Sequence, residues 1–519
     1  MNIHISPKHQ LVGVPIRADL SNLFPNAKRA TFQGKELILL NHGVEETRLL
    51  RNMGIEVPAP ILSSYDWENG KPFEIQKKTA AMLTMNTRAY VLNGMGTGKT
   101  KAALWSWRYL NKLGLAGKLL VCAPLSTLNF TWAREIFNTL PGVKVQVLHG
   151  TKAKRLDRLA DLEADIYVIN HDGLAVIGDA LSARADIDTL ILDELAVYRN
   201  GGSQRTKITR KVTAKMKWVW GMTGSPTPNA PTDAWAQCTL VTPNTVPRYF
   251  NRFREEVMYR ATQFKWLAKE GALDRVFDVM QPAVRFTLDD VVELPDLVER
   301  TIDIELGPKQ ARVYKQMEEH AFTAISNKEI TAMNAGAVLN KLLQISTGYV
   351  YTREGETVPL DNETRLEALV DAVNATDRKV IVFVPFKHAL SGIAKRLTSE
   401  GYDVREISGD TPKGSRDEIF NLFQNTSAVK VIVAHPMTMA HGLTLTAADT
   451  IIWFAPLPNL EIFEQANARI RRVGQKHRQQ ILMFQATKAE RQMYARLRAK
   501  QKVQNMLLEM FADASMEGN

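Results

Sequence analysis

The sequence predicts an α/β protein of two lobes, each a parallel sheet flanked by helices, with a small N-terminal appendage. In a first stretch, apolar runs at 89–92, 118–123, 166–170, 189–192 and 218–222 alternate with helical patterns such as Ala103, Leu104, Trp107 and Leu110. In a second, Val380–Val384, Val404–Ile407, Val431–Ala434, Ile451–Phe454 and Ile481–Phe484 repeat the arrangement, and Leu390, Ile393 and Leu397 give one intervening helix its apolar stripe. Near-continuous apolar strands separated by helices mark sheets buried on both faces. At 519 residues the chain is also too long for a single core.

These patterns divide the chain into an appendage over 1–70, a first lobe over 71–240, a helical hinge region over 241–300, a second lobe over 301–505 and a tail over 506–519. The appendage holds a short strand at Glu36–Asn41 and the turn Pro58-Ala59-Pro60, and its role is not legible beyond a possible protein-partner surface. The hinge region is irregular and rich in aromatics and charges, and gives way to the alternating strand Thr301–Leu306.

Composition narrows the class. No apolar run nears the roughly 20 residues needed to span a bilayer, and Met1–Lys8 lacks a signal-peptide pattern, so an intracellular protein is expected, cytoplasmic if bacterial or phage-encoded. Two cysteines, Cys122 and Cys238, exclude a disulfide framework or a cysteine-based zinc site and are expected as buried packing residues. The formal charge of +11 suits a polyanionic partner, although solvated basic faces give the same balance. Basic residues after Gly474, from Lys476 to Lys502, are read as a solvated helix surface in preference to a nucleic-acid contact.

Residues 93–100 carry the first chemistry. An apolar run feeds into Asn93-Gly94-Met95-Gly96-Thr97-Gly98-Lys99-Thr100 and a helical pattern follows, giving strand, phosphate loop and helix. The glycines let backbone N–H groups of residues 94–98 turn toward a polyphosphate such as ATP; Lys99 reaches the terminal phosphates and Thr100 offers a hydroxyl to Mg²⁺. The helix dipole favours the same anion. Asn93 occupies the first glycine position of G-x-x-x-x-G-K-[ST], and a Gly-rich surface turn has similar composition.

The strand Thr189–Leu192 runs into Asp193-Glu194, where a nucleotide-hydrolysing site needs acid: Asp193 to hold Mg²⁺, Glu194 to orient and deprotonate water. Gln76, 23 residues before Lys99, can donate and accept at once and so matches the adenine edge; an exposed helix position is the plain alternative. Ala123–Thr127 ends a strand with the hydroxyls of Ser126 and Thr127, which suit a phosphodiester backbone, and Gly221–Pro226 ends another. In the second lobe Arg469 and Arg472 lie three apart on a helical pattern and project from one face, where they could stabilise a transferring phosphoryl group if that face closes over the first lobe.

Taken together these residues resemble the superfamily-two helicases, and within them the Swi/Snf-type DNA-dependent ATPases, over about 70–505. Gln76 is similar to the Q motif, Met95–Thr100 to motif I, Cys122–Ser126 to motif Ia, Asp193–Ala196 to motif II and Thr223–Pro226 to motif III. Gln465–Gln475, with its Q-A-x-x-R-x-x-R-x-G-Q pattern, is similar to motif VI and is the most specific match. Leu294-Pro295 and Gln310–Tyr314 look like the segment entering lobe two, and Gly442–Asp449 looks like motif V, with Thr444 and Thr446 as implied nucleic-acid contacts. Three departures stand out: Ala440-His441 where small glycines are usual, Thr444 for a common asparagine, and Ala196 for the motif II histidine.

The resemblance implies two tandem RecA-like P-loop lobes and an ATP-dependent, Mg²⁺-using translocase on duplex DNA, closer to small bacterial or phage forms than to nucleosome remodellers. A strand-separating DNA or RNA helicase is the rival within the enzyme class. A nucleotide-regulated nucleic-acid-binding subunit without turnover is the rival outside it.

Overall fold

A computed structural model describes residues 3–263, 265–290, 294–326, 332–351, 357–439 and 444–501. The chain divides into two compact units, one over Met1–Val291 and one over Val292–Asn505. Among the described residues no helix is long and apolar enough to cross a membrane.

The first unit holds a seven-stranded sheet in the order Ala283–Val284, Arg88–Val91, Trp218–Met222, Ile187–Asp193, Lys118–Ala123, Ile166–Asn170 and Val145–Leu148. Every pairing is parallel. Alternate residues serve two cores: Tyr90, Leu120, Cys122, Tyr167 and Ile169 pack on one face, and Ala89, Val91, Val121, Val168 and Trp220 on the other. Burial on both sides explains why these strands are continuous apolar runs in the sequence.

All five anticipated strands of this lobe are present, and two more join them. Val145–Leu148 is an edge strand whose first three residues are only half-buried, so it carries no apolar run. Ala283–Val284 is too short for any pattern; it exists because Tyr90 N–H donates to Pro282 O (2.9 Å), Leu92 N–H to Val284 O (2.8 Å) and Gly94 N–H to Phe286 O (2.7 Å).

That strand lies inside the stretch expected as a hinge. Helices Phe250–Val257 and Ala272–Val279 likewise bury Phe253, Val257, Val276 and Val279 in the first unit's core, and the division between units falls at 291/292. Helices were expected in this stretch; apolar residues about one helical turn apart dock them on the first unit. At the N-terminus a four-stranded antiparallel sheet, in the order His4–Ser6, Leu11–Pro15, Lys35–Asn41, Lys28–Phe32, closes its own core of Val12, Val14, Ile38, Leu40 and Leu50. From Val44 onward the chain also contributes to the large sheet's core through Ala59, Ile61 and Tyr65.

The second unit holds a six-stranded, wholly parallel sheet in the order Leu297–Asp303, Gln479–Gln485, Ala448–Trp453, Lys379–Phe383, Val431–Ala434, Val404–Ile407. The strand expected at 301–306 begins four residues earlier, because its register is set by pairing with Gln479–Gln485 and not by its own alternation. Helix Lys387–Ser399 turns Leu390, Ile393 and Leu397 into this core as its stripe required.

A buried ion pair ties the C-terminal helix, 488–501, to this sheet. Arg365 Nη2 lies 2.6 Å from Glu490 Oε1, both essentially inaccessible, while Glu490 Oε2 accepts from Ala486 N–H (2.7 Å) and Thr487 N–H (3.1 Å) at the helix start. Arg365 also donates to the carbonyls of Ser346 and Phe484 and stacks over Phe454. Removing one partner of such a pair strands a buried charge, at about 3–5 kcal/mol. Arg365→Met is therefore expected to lower the denaturant midpoint of the second unit sharply, and Arg365→Met with Glu490→Gln to recover part of the loss.

Candidate nucleotide site

The strand order determines which loops meet. Strands Arg88–Val91, Trp218–Met222 and Ile187–Asp193 are adjacent and parallel, so the loops leaving their carboxyl ends, at 93–98, 223–226 and 193–194, share one edge of the sheet. Crevices at strand carboxyl ends are where open α/β sheets bind ligands.

In the phosphate loop Lys99 opens helix Lys99–Lys112, and its Nζ donates to Asn93 O (2.8 Å). Thr97 Oγ1 donates to Gly94 O (2.8 Å). Gly98 is left-handed (φ 78°), and a Cβ there would stand 1.9 Å from Gln76 Nε2, so only glycine fits.

Asn93 proves to be a brace. It is buried; its Nδ2 donates to Thr79 Oγ1 (2.9 Å) and its Oδ1 accepts from Phe286 N–H (2.9 Å), tying the loop to helix Glu74–Met85 and to the chain leaving strand Ala283–Val284. Arg285 adds a bond to Leu92 O.

Gln76 is buried beneath the loop, with Oε1 accepting from Phe73 N–H (2.9 Å) and Nε2 donating to Thr97 O (3.3 Å). One donor and one acceptor valence of the amide remain. Its first task is thus to support the loop, and the exposed-position alternative is set aside.

Asp193 sits at the end of its strand with Oδ2 accepting from Trp132 Nε1 (2.9 Å) and Oδ1 from Glu194 N–H (3.1 Å). Burial raises its pKa, while the Trp132 bond and the Lys99 charge pull it down. Glu194 follows in a left-handed conformation (φ 50°, ψ 52°), which costs a non-glycine residue about 1–3 kcal/mol and is found preferentially at functional sites. Thr223 N–H pairs with Val91 O (3.1 Å), and its Oγ1 accepts from Ser225 N–H (3.2 Å), which holds that turn beside the loop.

Asp193 and Thr100 are the residues fit to hold Mg²⁺. A single carboxylate with one hydroxyl is a sparse set, but Mg²⁺ in phosphoryl-transfer sites takes its remaining positions from phosphates and water. When bound, the ion would neutralise charge between the phosphates.

Among the proposed backbone contacts, Ser126 is exposed, whereas Thr127 is buried and its hydroxyl is committed to Pro124 O (2.8 Å). Thr127 therefore closes its turn instead of presenting a hydroxyl outward. In the second unit Thr444 is exposed, and Thr446 is half-buried with Oγ1 accepting from Gln424 Nε2 (3.1 Å). Residues 440–443, including Ala440 and His441, lie outside the described residues.

The arginines require a correction. Helix Leu460–Asn467 ends before them, so Arg469 and Arg472 stand in the turn that follows and not on one helical face. Each uses Nε to bond the carbonyl four residues back: Arg469 to Gln465 O (2.7 Å), Arg472 to Ala468 O (3.2 Å). Carbonyls at a helix C-terminus lack helical partners, and arginine supplies both donor and positive charge. Arg469 is buried, and burial lowers the Arg472 pKa to about 10. Gln475 pins the end of the turn through Ala448 O (2.9 Å) and Ile470 O (3.1 Å).

Residues 79–348 match the SNF2-related domain, and residues 364–474 match the helicase conserved C-terminal domain. The chain belongs to the SNF2 family of ATP-hydrolysing enzymes. Its two sheets are the RecA-like lobes of that family.

Among curated proteins, this SNF2 chain is 27% identical over 401 residues to "Putative protein p41" of Acyrthosiphon pisum secondary endosymbiont phage 1, a match covering 74% of the chain and 85% of the relative. It is 24% identical to an uncharacterized ATP-dependent helicase of Mycoplasma pneumoniae and 24% identical to a SWI/SNF-related regulator of chromatin, subfamily A-like protein 1, of Xenopus tropicalis. These matches cover 75% and 81% of the chain but only 37% and 43% of the two relatives. A solved Sulfolobus solfataricus SWI2/SNF2 ATPase core in complex with dsDNA is 21% identical, with a TM-score of 0.40 over 87% of this chain and 96% of that one.

Two residues of the SNF2 site had no sequence signal. Asn93 stood in the sequence only as a departure from the glycine pattern, and no motif includes Trp132. Trp132 is fully buried in a π-helical turn, Leu128–Ala133, of the kind that recurs at functional sites, and that turn points its indole at Asp193. The cysteines are packing residues as expected: both are buried, and burial pushes the Cys122 thiol up to about 12 and Cys238 to about 11. Groups that orient a metal-binding carboxylate typically change metal affinity about 10–100-fold. Trp132→Phe keeps the packing and loses the N–H, so the Mg²⁺ concentration for half-maximal turnover is expected to rise about ten-fold. An unchanged Mg²⁺ titration would show that Asp193 needs no such partner.

Proposed function

We propose that this SNF2 ATPase converts ATP hydrolysis into movement along duplex DNA. The observation that carries the proposal is the placement of Lys99, Asp193 and the strained Glu194 at the carboxyl ends of strands Arg88–Val91 and Ile187–Asp193, which flank Trp218–Met222 in one parallel sheet, a set suited to phosphoryl transfer to water. Lys99 and the loop amides bind the β- and γ-phosphates, Asp193 and Thr100 hold Mg²⁺, and Glu194 orients the attacking water and accepts its proton. Gln76, through its remaining valences, selects adenine. Arg472, with Arg469 beside it, supplies positive charge to the γ-phosphoryl group.

DNA as the partner is supported by family membership and by the net charge of +11. Exposed Ser126 and Thr444 are the hydroxyls best suited to the phosphodiester backbone.

The deciding experiment measures ATP turnover with linear duplex, single-stranded DNA, forked DNA and RNA over a range of salt. Duplex is expected to stimulate most, with half-saturation rising steeply as salt increases because phosphate contacts release counterions. Equal turnover with and without nucleic acid would remove the motor reading. Displacement of an annealed strand would replace translocation by strand separation.

A further inference from the structure

The opposite edge of the first sheet, where the strands begin, carries features that nucleotide chemistry leaves unused. A cleft of about 740 Å³ opens beside Thr87, Arg88 and Gln281, at the entries to two strands, and a second of about 590 Å³ adjoins it through Arg88, Ala214, Pro243 and Asn244. Among the described residues four arginines line the pair, Arg48, Arg88, Arg210 and Arg248, and no carboxylate lines either. Arg88 is a staple, its guanidinium bonded to carbonyls that end two helices, and Arg48 shares its charge with Glu45 at 3.6 Å. Among the described residues lining the cleft, Arg210 and Arg248 have no such acidic neighbour.

From Arg210 an alternating ladder of guanidinium groups and rings leads outward. Arg210 stacks on Trp235 (5.7 Å), Trp235 meets Phe250 edge-on (5.5 Å), and Arg254 lies between Phe250 (5.6 Å) and Trp266 (4.1 Å). Trp266 belongs to a small antiparallel hairpin, Met258–Arg260 with Trp266–Ala268. Packing accounts for the inner rungs but not for the outer rings: Tyr249, at the cleft mouth with Arg248 over it, is 60% exposed, and Tyr259 on the hairpin is 47% exposed. Residues 248–269 hold six Lys or Arg against two Glu.

We propose that this cleft and hairpin form a second nucleic-acid site, remote from the phosphate loop, whose ligand is single-stranded DNA. Open aromatic faces reward unpaired bases, which a duplex hides, and interspersed guanidinium groups follow the backbone. The site rests on the reading of the chain as a DNA motor and adds to it a grip on unpaired strand.

The test uses the full chain and a fluorescent oligothymidylate of about 20 nucleotides, with a blunt duplex of equal length as the control. Tyr249→Ala with Tyr259→Ala is expected to weaken oligothymidylate binding roughly ten-fold or more, with duplex-stimulated ATP turnover unchanged. Tyr249→Phe with Tyr259→Phe should bind as the natural protein does, and Arg252→Glu, at an exposed position on helix Phe250–Val257 between them, should weaken binding and flatten its salt dependence. Unchanged oligothymidylate affinity in the alanine pair, or displacement of the oligonucleotide by polyglutamate as readily as by unlabelled oligothymidylate, overturns the site. If the natural protein shows no stimulation by any DNA, the motor reading fails; if stimulation is present and the alanine pair binds normally, only this site fails.

Discussion

Lys99→Ala is expected to reduce DNA-stimulated ATP hydrolysis by about 10³-fold, with the fold intact. The reason lies in how the loop is supported. Asn93 is held by Thr79 and Phe286, Gly94 by Phe286 O, and Thr97 by Gln76, so the loop keeps its shape without the lysine. What disappears, besides the bond to Asn93 O, is a charge that bears on Asp193 and that we propose meets the terminal phosphates. ATP turnover and thermal unfolding, measured on the same preparation, check this: normal turnover in the variant removes the phosphate-loop assignment, and a collapsed melting curve would assign Lys99 a structural part instead. Lys99→Arg should rescue poorly, because a planar fork does not replace a compact ammonium at this depth.

The same loop illustrates what a sequence exposes and what it conceals. A strand buried on both faces must be apolar throughout, so the strand through Val121 and the strand through Val168 were legible as uninterrupted runs. The phosphate loop was legible because its strand, turn and helix are contiguous in the chain. Contacts between distant segments were not. Trp132 meets Asp193 across 61 residues, and Asn93 meets Phe286 across 193, so no local pattern announces either. Ala283–Val284 is a strand only because Arg88–Val91 offers it a free edge. Gln76 was legible as a donor and acceptor at the right distance from Lys99, yet its burial beneath Gly98 depends on how helix Glu74–Met85 packs, which spacing does not convey.

Arg472→Ala is expected to leave ATP affinity nearly unchanged and to lower kcat about 10³-fold, the lower end of what supplied guanidinium groups contribute to phosphoryl transfer. Sequence periodicity had put both arginines on a helix; the helix stops at Asn467, and the arginines themselves finish it by bonding Gln465 O and Ala468 O through Nε. For Arg472 that bond fixes the side chain at its inner nitrogen and leaves the terminal fork to act elsewhere. Burial lowers its pKa only to about 10, so it stays cationic at neutral pH. A partly desolvated cation stabilises developing negative charge more strongly than a hydrated one, which is why the effect belongs in kcat and not in binding. Arg469, by contrast, is buried, and its replacement would mix folding with catalysis. Arg472→Lys separates the two possible uses of the residue: a lysine cannot reproduce the Nε bond and the fork together, so a variant that keeps wild-type turnover would show that charge alone suffices, and an alanine variant with unchanged kcat would dismiss the catalytic role of this turn altogether.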